Sequence, residues 1–222
     1  MILIPEIIIH NSLKKLIAFI RDDYQLNIAD TTKSLLYRLL GADQVGRYSL
    51  FTESVALLIN DASNPRHLDI NMFFNAKRAA IPTIHITLPS ESEKNNSMAN
   101  GEGFGEPIYD TVAGTYINVY NRRFTSRTNI IITSDNTNEV ILLYHLVKNL
   151  LISLNGHFNV SGLNLPKLSG GDIQINQELI PVNIFTRSIG MEYEYDVEAQ
   201  DLFKLNINTL DIIGTSVTPI IT

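Results

Sequence analysis

Residues 139–154, EVILLYHLVKNLLISL, constrain this fold more than any other stretch of the chain. Their period is helical, but the apolar side chains cover an arc too broad for a helix with one face in water. Such a helix is stable only when most of its circumference is buried, and the cover expected for it here is a sheet. Asn136 followed by Glu139 reads as the Asn-x-x-Glu form of a capping box that starts the helix, with Gly156 as its terminator.

The strands that would supply this cover have period two. In IPTIHITLP (81–89), Ile84, Ile86 and Leu88 alternate with Thr83, His85 and Thr87, which places His85 on the polar, exposed phase. GTYINVYNRRFTSRTNIIITS (114–134) reads as two strands joined across Asn121–Ser126. GLNLPKLSGGDIQI (162–175) reads as two short pieces around a Ser169–Asp172 turn that uses Gly170 and Gly171. PVNIFTRSIGMEYEYDVEA (181–199) is a longer strand with a kink expected at Gly190. It carries Met191, Tyr193, Tyr195 and Val197 on one face and Glu192, Glu194 and Asp196 on the other.

Before these strands, residues 12–26 form an amphipathic helix, a shorter helix covers 32–40 up to Gly41, and 45–60 is ambiguous between helix and strand. The first nine residues and the tail LFKLNINTLDIIGTSVTPIIT are β-prone and poor in charge, so each is expected to add to its own sheet or a neighbour's. The expected fold class is α+β: a mainly antiparallel sheet flanked by helices, with extended terminal arms. Residues 1–88 make the helix-rich N-terminal part of a single domain, 89–113 a long flexible loop, 114–199 the sheet–helix–sheet core and 200–222 the C-terminal arm. A chain of 222 residues is long enough for one substantial core.

Several chemistries fall away on residue type. Cys is absent, so there is no disulfide, thiolate nucleophile or Cys-ligated zinc. Charged residues make up 18% and the net charge is −6, which argues against a general nucleic-acid binder. MILIPEIIIH lacks the basic start and long apolar run of a signal peptide, and nothing approaches the ~20 apolar residues of a membrane span. NGEGFGEP (100–107) is glycine-rich, but no Lys-Ser/Thr pair closes it, and Glu102 and Glu106 would repel phosphate. It is read as a mobile or binding loop, with Gly101, Phe104 and Gly105 as the binding positions.

The histidines, His10, His67, His85, His145 and His157, have no metal-ligand spacing, and His145 is expected to pack or hydrogen-bond at a helix edge. The concentrated charge lies elsewhere. Arg122, Arg123 and Arg127 sit at the expected hairpin, Arg187 adds to them if its strand pairs nearby, and the acidic strand Glu192, Glu194 and Asp196 is their counterpart on an adjacent copy. A polar hairpin without a partner and direct DNA contact are the other readings of these arginines.

A basic-ended hairpin at 116–134, an Asn/Glu-capped apolar helix at 137–154, SGGDI at 169–173 and the FTRSIGMEYEYDV strand at 185–197 follow in that order. This run, roughly the C-terminal half, resembles tailed-bacteriophage tail completion and tail terminator proteins, members of the neck and head-to-tail connector set. The resemblance implies a noncatalytic virion subunit that forms a ring at the neck or tail terminus and joins or closes the tail, without catalytic residue, metal or cofactor. Its implied partners are copies of itself, other neck or tail proteins, and DNA passing through the lumen without sequence-specific binding, with no membrane. Its implied location is the virion, after assembly in the host cytoplasm. An assembly or binding module outside phage is the alternative, as is a small hydrolase using His157 and Asp172 around the 156–172 loops.

Overall fold

The computed structural model describes residues 3–41, 44–45, 48–59, 68–72, 81–87, 90–94, 104–111, 114–172 and 184–200. Helices flank a mostly antiparallel sheet. The chain divides into two compact units, the larger comprising Leu3–Ser92 and Phe124–Tyr195, the smaller Met1–Ile2, Glu93–Arg123 and Asp196–Thr222.

The larger unit opens with α1 (Pro5–Leu26). The N-terminal arm expected from the first nine residues is thus corrected: from Pro5 onward they are helix. Pro5 stands at the first helical position, where its missing N–H costs no hydrogen bond, and Glu6 complements the helix dipole. Ile9, Leu13, Ile17 and Ile20 then make one buried stripe. A 3₁₀ turn (Thr31–Lys33) leads into α2 (Leu35–Leu40), where the Ser34 hydroxyl accepts from the Tyr37 N–H at 3.2 Å. The two-residue strands β1 (Gln44–Val45) and β2 (Tyr48–Ser49) pair, and Ser49 caps α3 (Leu50–Leu58), so the ambiguous 45–60 segment holds short strands and then a helix.

Next come β3 (Asp69–Met72) and β4 (Thr83–Ile86), which are parallel, and then β5 (Ser90–Glu93) and β6 (Phe104–Asp110). The last two fall inside the 89–113 stretch expected as a loop. They pair with β7 (Thr115–Ser134), one continuous strand of 20 residues, where two strands and a turn are expected. NRRFTS has no Gly or Pro to reverse the chain, and Phe124 and Thr125 favour extension, so strand pairing runs through it.

α4 (Thr137–Ser153) is the anticipated buried helix. Asn136 accepts from the Asn138 N–H at 3.0 Å. Glu139 is tied to the start of α4 through Ser134: its carboxylate accepts from the Ser134 hydroxyl at 2.6 Å, whose oxygen accepts from the Asn136 N–H at 3.1 Å. Gly156 does not terminate α4. It lies within α5 (Asn155–Val160), and the chain turns instead at Gly162, with φ +90°.

β8 (Asn164–Asp172) and β9 (Phe185–Gln200) complete the sheet in the order β3-β4-β7-β9-β8. The expected Ser169–Asp172 turn is strand, and Gly190 causes no break, because pairing runs in register from Lys167↔Glu192 to Asp172↔Arg187. Gly170 is there for packing: a Cβ would lie 1.7 Å from the Tyr144 hydroxyl.

The core of this unit unites Leu13 and Ile20 of α1, Leu142, Leu143, Leu146 and Leu150 of α4, and Ile84, Ile130, Ile132, Ile189, Met191 and Tyr193 of the sheet. Each fully buried aliphatic side chain contributes about 1.5–3 kcal/mol. The Tyr193 hydroxyl remains satisfied there, 2.8 Å from Thr128 Oγ1. His85, expected exposed, is 5% exposed, because β4 is an interior strand with all four residues buried.

In the smaller unit, Thr115–Tyr120 of β7 pairs antiparallel with β6, and Gly114, φ +65°, takes the left-handed conformation at the connection. Tyr109 and Tyr116 meet edge to face at 5.0 Å.

Candidate interface

Successive residues of a strand point to opposite faces, so Arg122 and Arg123 in mid-β7 diverge. Within the smaller unit, Arg123 donates from Nε to Asp196 Oδ1 at 2.7 Å and from Nη2 to Oδ2 at 3.0 Å. This is the two-pronged geometry that suits guanidinium to carboxylate. Arg122 donates from Nη1 to Glu93 Oε1 at 3.0 Å, and the Lys94 N–H donates to the Arg123 carbonyl at 2.9 Å. Both ion pairs are exposed. Asp196, one of the three acidic residues expected to meet these arginines from an adjacent copy, is engaged by Arg123 of its own chain, and Arg122 uses Glu93, which was not anticipated.

The larger unit holds Arg127, whose Nη2 reaches Ser169 Oγ at 3.5 Å. Its guanidinium lies against Gly190, where a Cβ would stand 3.1 Å from Nη2 and 2.6 Å from Ser169 Oγ. Gly190 is thus the seat of an arginine. Arg187 does not join that face. In β9 it shares parity with the buried Ile189 and Met191, and its guanidinium carbon stacks 4.1 Å from the centre of the Tyr144 ring on α4. Glu192 is exposed opposite Lys167, and Glu194 is half-buried opposite Asn164. The expected face segregation of β9 is present, with Met191, Tyr193 and Tyr195 buried, but Val197 is exposed.

Of the expected binding loop, Phe104 and Gly105 are the first residues of β6, opposite Tyr120 and Val119, while Gly101 lies outside the described residues. His67 and the tail 201–222 lie outside them too.

Of the residues of the hydrolase alternative, His157 is exposed on α5 and Asp172 closes β8. His145 is exposed at the edge of α4, its ring edge-on to Tyr144. It borders a cavity of about 310 Å³ lined by Leu39, Leu40, Leu50, Ile141, Leu142 and Asn149. Partial burial, then the charges of Arg187 and Lys148, hold its pKa below the usual imidazole value. Among the described residues, no group of three His, Asp or Glu side chains is arranged to hold a metal ion.

Burial raises the pKa of Tyr193. Tyr195 is raised further, by burial and by the hydrogen bond its hydroxyl donates to Glu91 at 2.7 Å. No helix among the described residues is long and apolar enough to cross a membrane. No protein-family model and no curated protein matches the chain.

Proposed function

We propose that this chain is a noncatalytic structural subunit of a tailed-phage virion, assembled as a ring at the neck or tail terminus. The observation that carries the reading is the succession β7, α4, β8, β9, in which a buried helix crosses between strands of one sheet. Of the order on which the resemblance to tail completion and terminator proteins rests, the capped helix and the 185–197 strand keep their places, while the hairpin is one strand and the SGGD of SGGDI runs within β8. The ion pairs Arg122–Glu93 and Arg123–Asp196 lie at the surface, and in this reading such rim charges set orientation and register between subunits more than they set affinity. An assembly module outside phage makes use of the same surfaces.

Electron microscopy and sedimentation of the purified chain test the reading. Closed rings that bind isolated tails or heads are expected. A chain that stays monomeric and turns over an ester or amide substrate overturns it.

A further inference from the structure

The outward side of α1 is unlike an ordinary solvated helix face. Opposite its buried stripe run Ile4, Ile7, Asn11, Lys15, Ala18, Asp22 and Leu26, at spacings of three and four residues. Leu26 is 85% exposed, Phe19 beside the stripe is 55% exposed, and Ile28 follows in the same condition. The apolar residues stand at the two ends and near the middle, with Lys14 and Lys15 on one side of Ala18 and Asp22 on the other. None of these three charged side chains has an ion-pair partner among the described residues. Alongside lies a groove of about 200 Å³ lined by Ser12, Lys15, Leu16, Phe19, Leu154 and His157.

We infer that α1 pairs antiparallel with α1 of a second copy, about a two-fold axis at Ala18–Phe19. The pattern is complementary to its own reverse. When two such helices run antiparallel with this centre, Lys14 and Lys15 of each copy stand beside Asp22 of the other. The exposed Leu26 of each reaches the Ile7–Asn11 end of its partner. Ala18 at the crossing permits the close approach that helix packing requires. A two-fold axis across antiparallel helices keeps equivalent flanks on the same side, so the two Phe19 rings meet and each covers the other's groove. A membrane surface would call for an uninterrupted apolar face, whereas Lys15 and Asp22 interrupt this stripe on either side of Ala18. The contact is isologous, hence separate from the head-to-tail contact that closes a ring, and it stands whether or not the chain is a virion subunit.

The test uses the full chain and charge variants of exposed residues, each first checked for wild-type circular dichroism and melting. Sedimentation equilibrium of the wild type should show reversible pairing, of single chains or of whole rings. K14E/K15E alone and D22K alone should each weaken pairing at least about tenfold, because each places like charges together at both ends of the contact. Mixing the two variants in equal amounts should restore pairing, since every juxtaposition becomes opposite in sign. F19D should abolish it. A wild type that never pairs, or a mixture that pairs no better than its components, overturns the inference. Rings that form without pairing would refute this contact and leave the virion reading intact.

Discussion

Arg123 and Asp196, 73 residues apart in sequence, are joined by two parallel hydrogen bonds of 2.7 and 3.0 Å between β7 and β9. With side chains 43% and 33% exposed, the pair should contribute at the upper end of the ~0.2–1 kcal/mol range for surface ion pairs. A double-mutant cycle of R123A and D196A in urea should show positive coupling that shrinks in high salt. The reversal R123D should be rescued by D196R. Rescue by E194R and not by D196R would show that the pairing differs in solution.

Ser134 stands between the start of α4 and Glu139, which is 3% exposed. S134A removes a donor from a buried carboxylate and an acceptor from the Asn136 N–H together. It should cost about 1–3 kcal/mol, measured as a shift in urea midpoint without a change in slope. S134T retains the hydroxyl and should cost less. Equal losses in the two variants would show that the relay contributes little.

Gly170 admits the Tyr144 hydroxyl so closely that a Cβ overlaps it, and the ring carbon bearing the hydroxyl would be only 2.8 Å away. G170A should destabilise by about 1–3 kcal/mol, as overpacking does. Y144F in the same chain should recover part of the loss and not all of it, because that ring carbon remains. Thermal melts of the two single variants and the double variant check this, and strictly additive losses would count against the contact.

Two pH dependences follow, with opposite signs. His145 has a lowered pKa, so the unfolded chain takes up a proton more readily; stability is full above about pH 6.5 and falls as pH drops through the folded value. The effect is small because the ring is exposed, and H145Q should flatten the slope between about pH 5 and 7. Tyr193 and Tyr195 have raised values, so their contribution is full below about pH 10 and is lost as pH rises beyond it. Y195F should blunt the alkaline loss while costing stability at neutral pH through the lost bond to Glu91. Urea titrations at stepped pH measure both slopes.

What the sequence determined by itself was whatever depends on local period and capping. The broad apolar arc of 139–154 required a buried helix, Asn136 marked its start, and the alternation of Met191, Tyr193 and Tyr195 fixed the inward face of β9. The tertiary structure decided what local pattern cannot carry. Residues 121–126 contain polar side chains typical of a turn, yet pairing keeps β7 extended through them. The glycines at 170 and 190 look like hinges in one dimension but are clearances for Tyr144 and Arg127, which approach from distant elements. Alternation within TIHI says that His85 is outward, and it cannot say that an interior strand has no outward face. The arginines were legible as charge, and parity alone would have set Arg187 apart from Glu192. Their partners Asp196, Glu93 and Ser169 depend on which strands lie side by side, and that is set by pairing between segments distant in sequence.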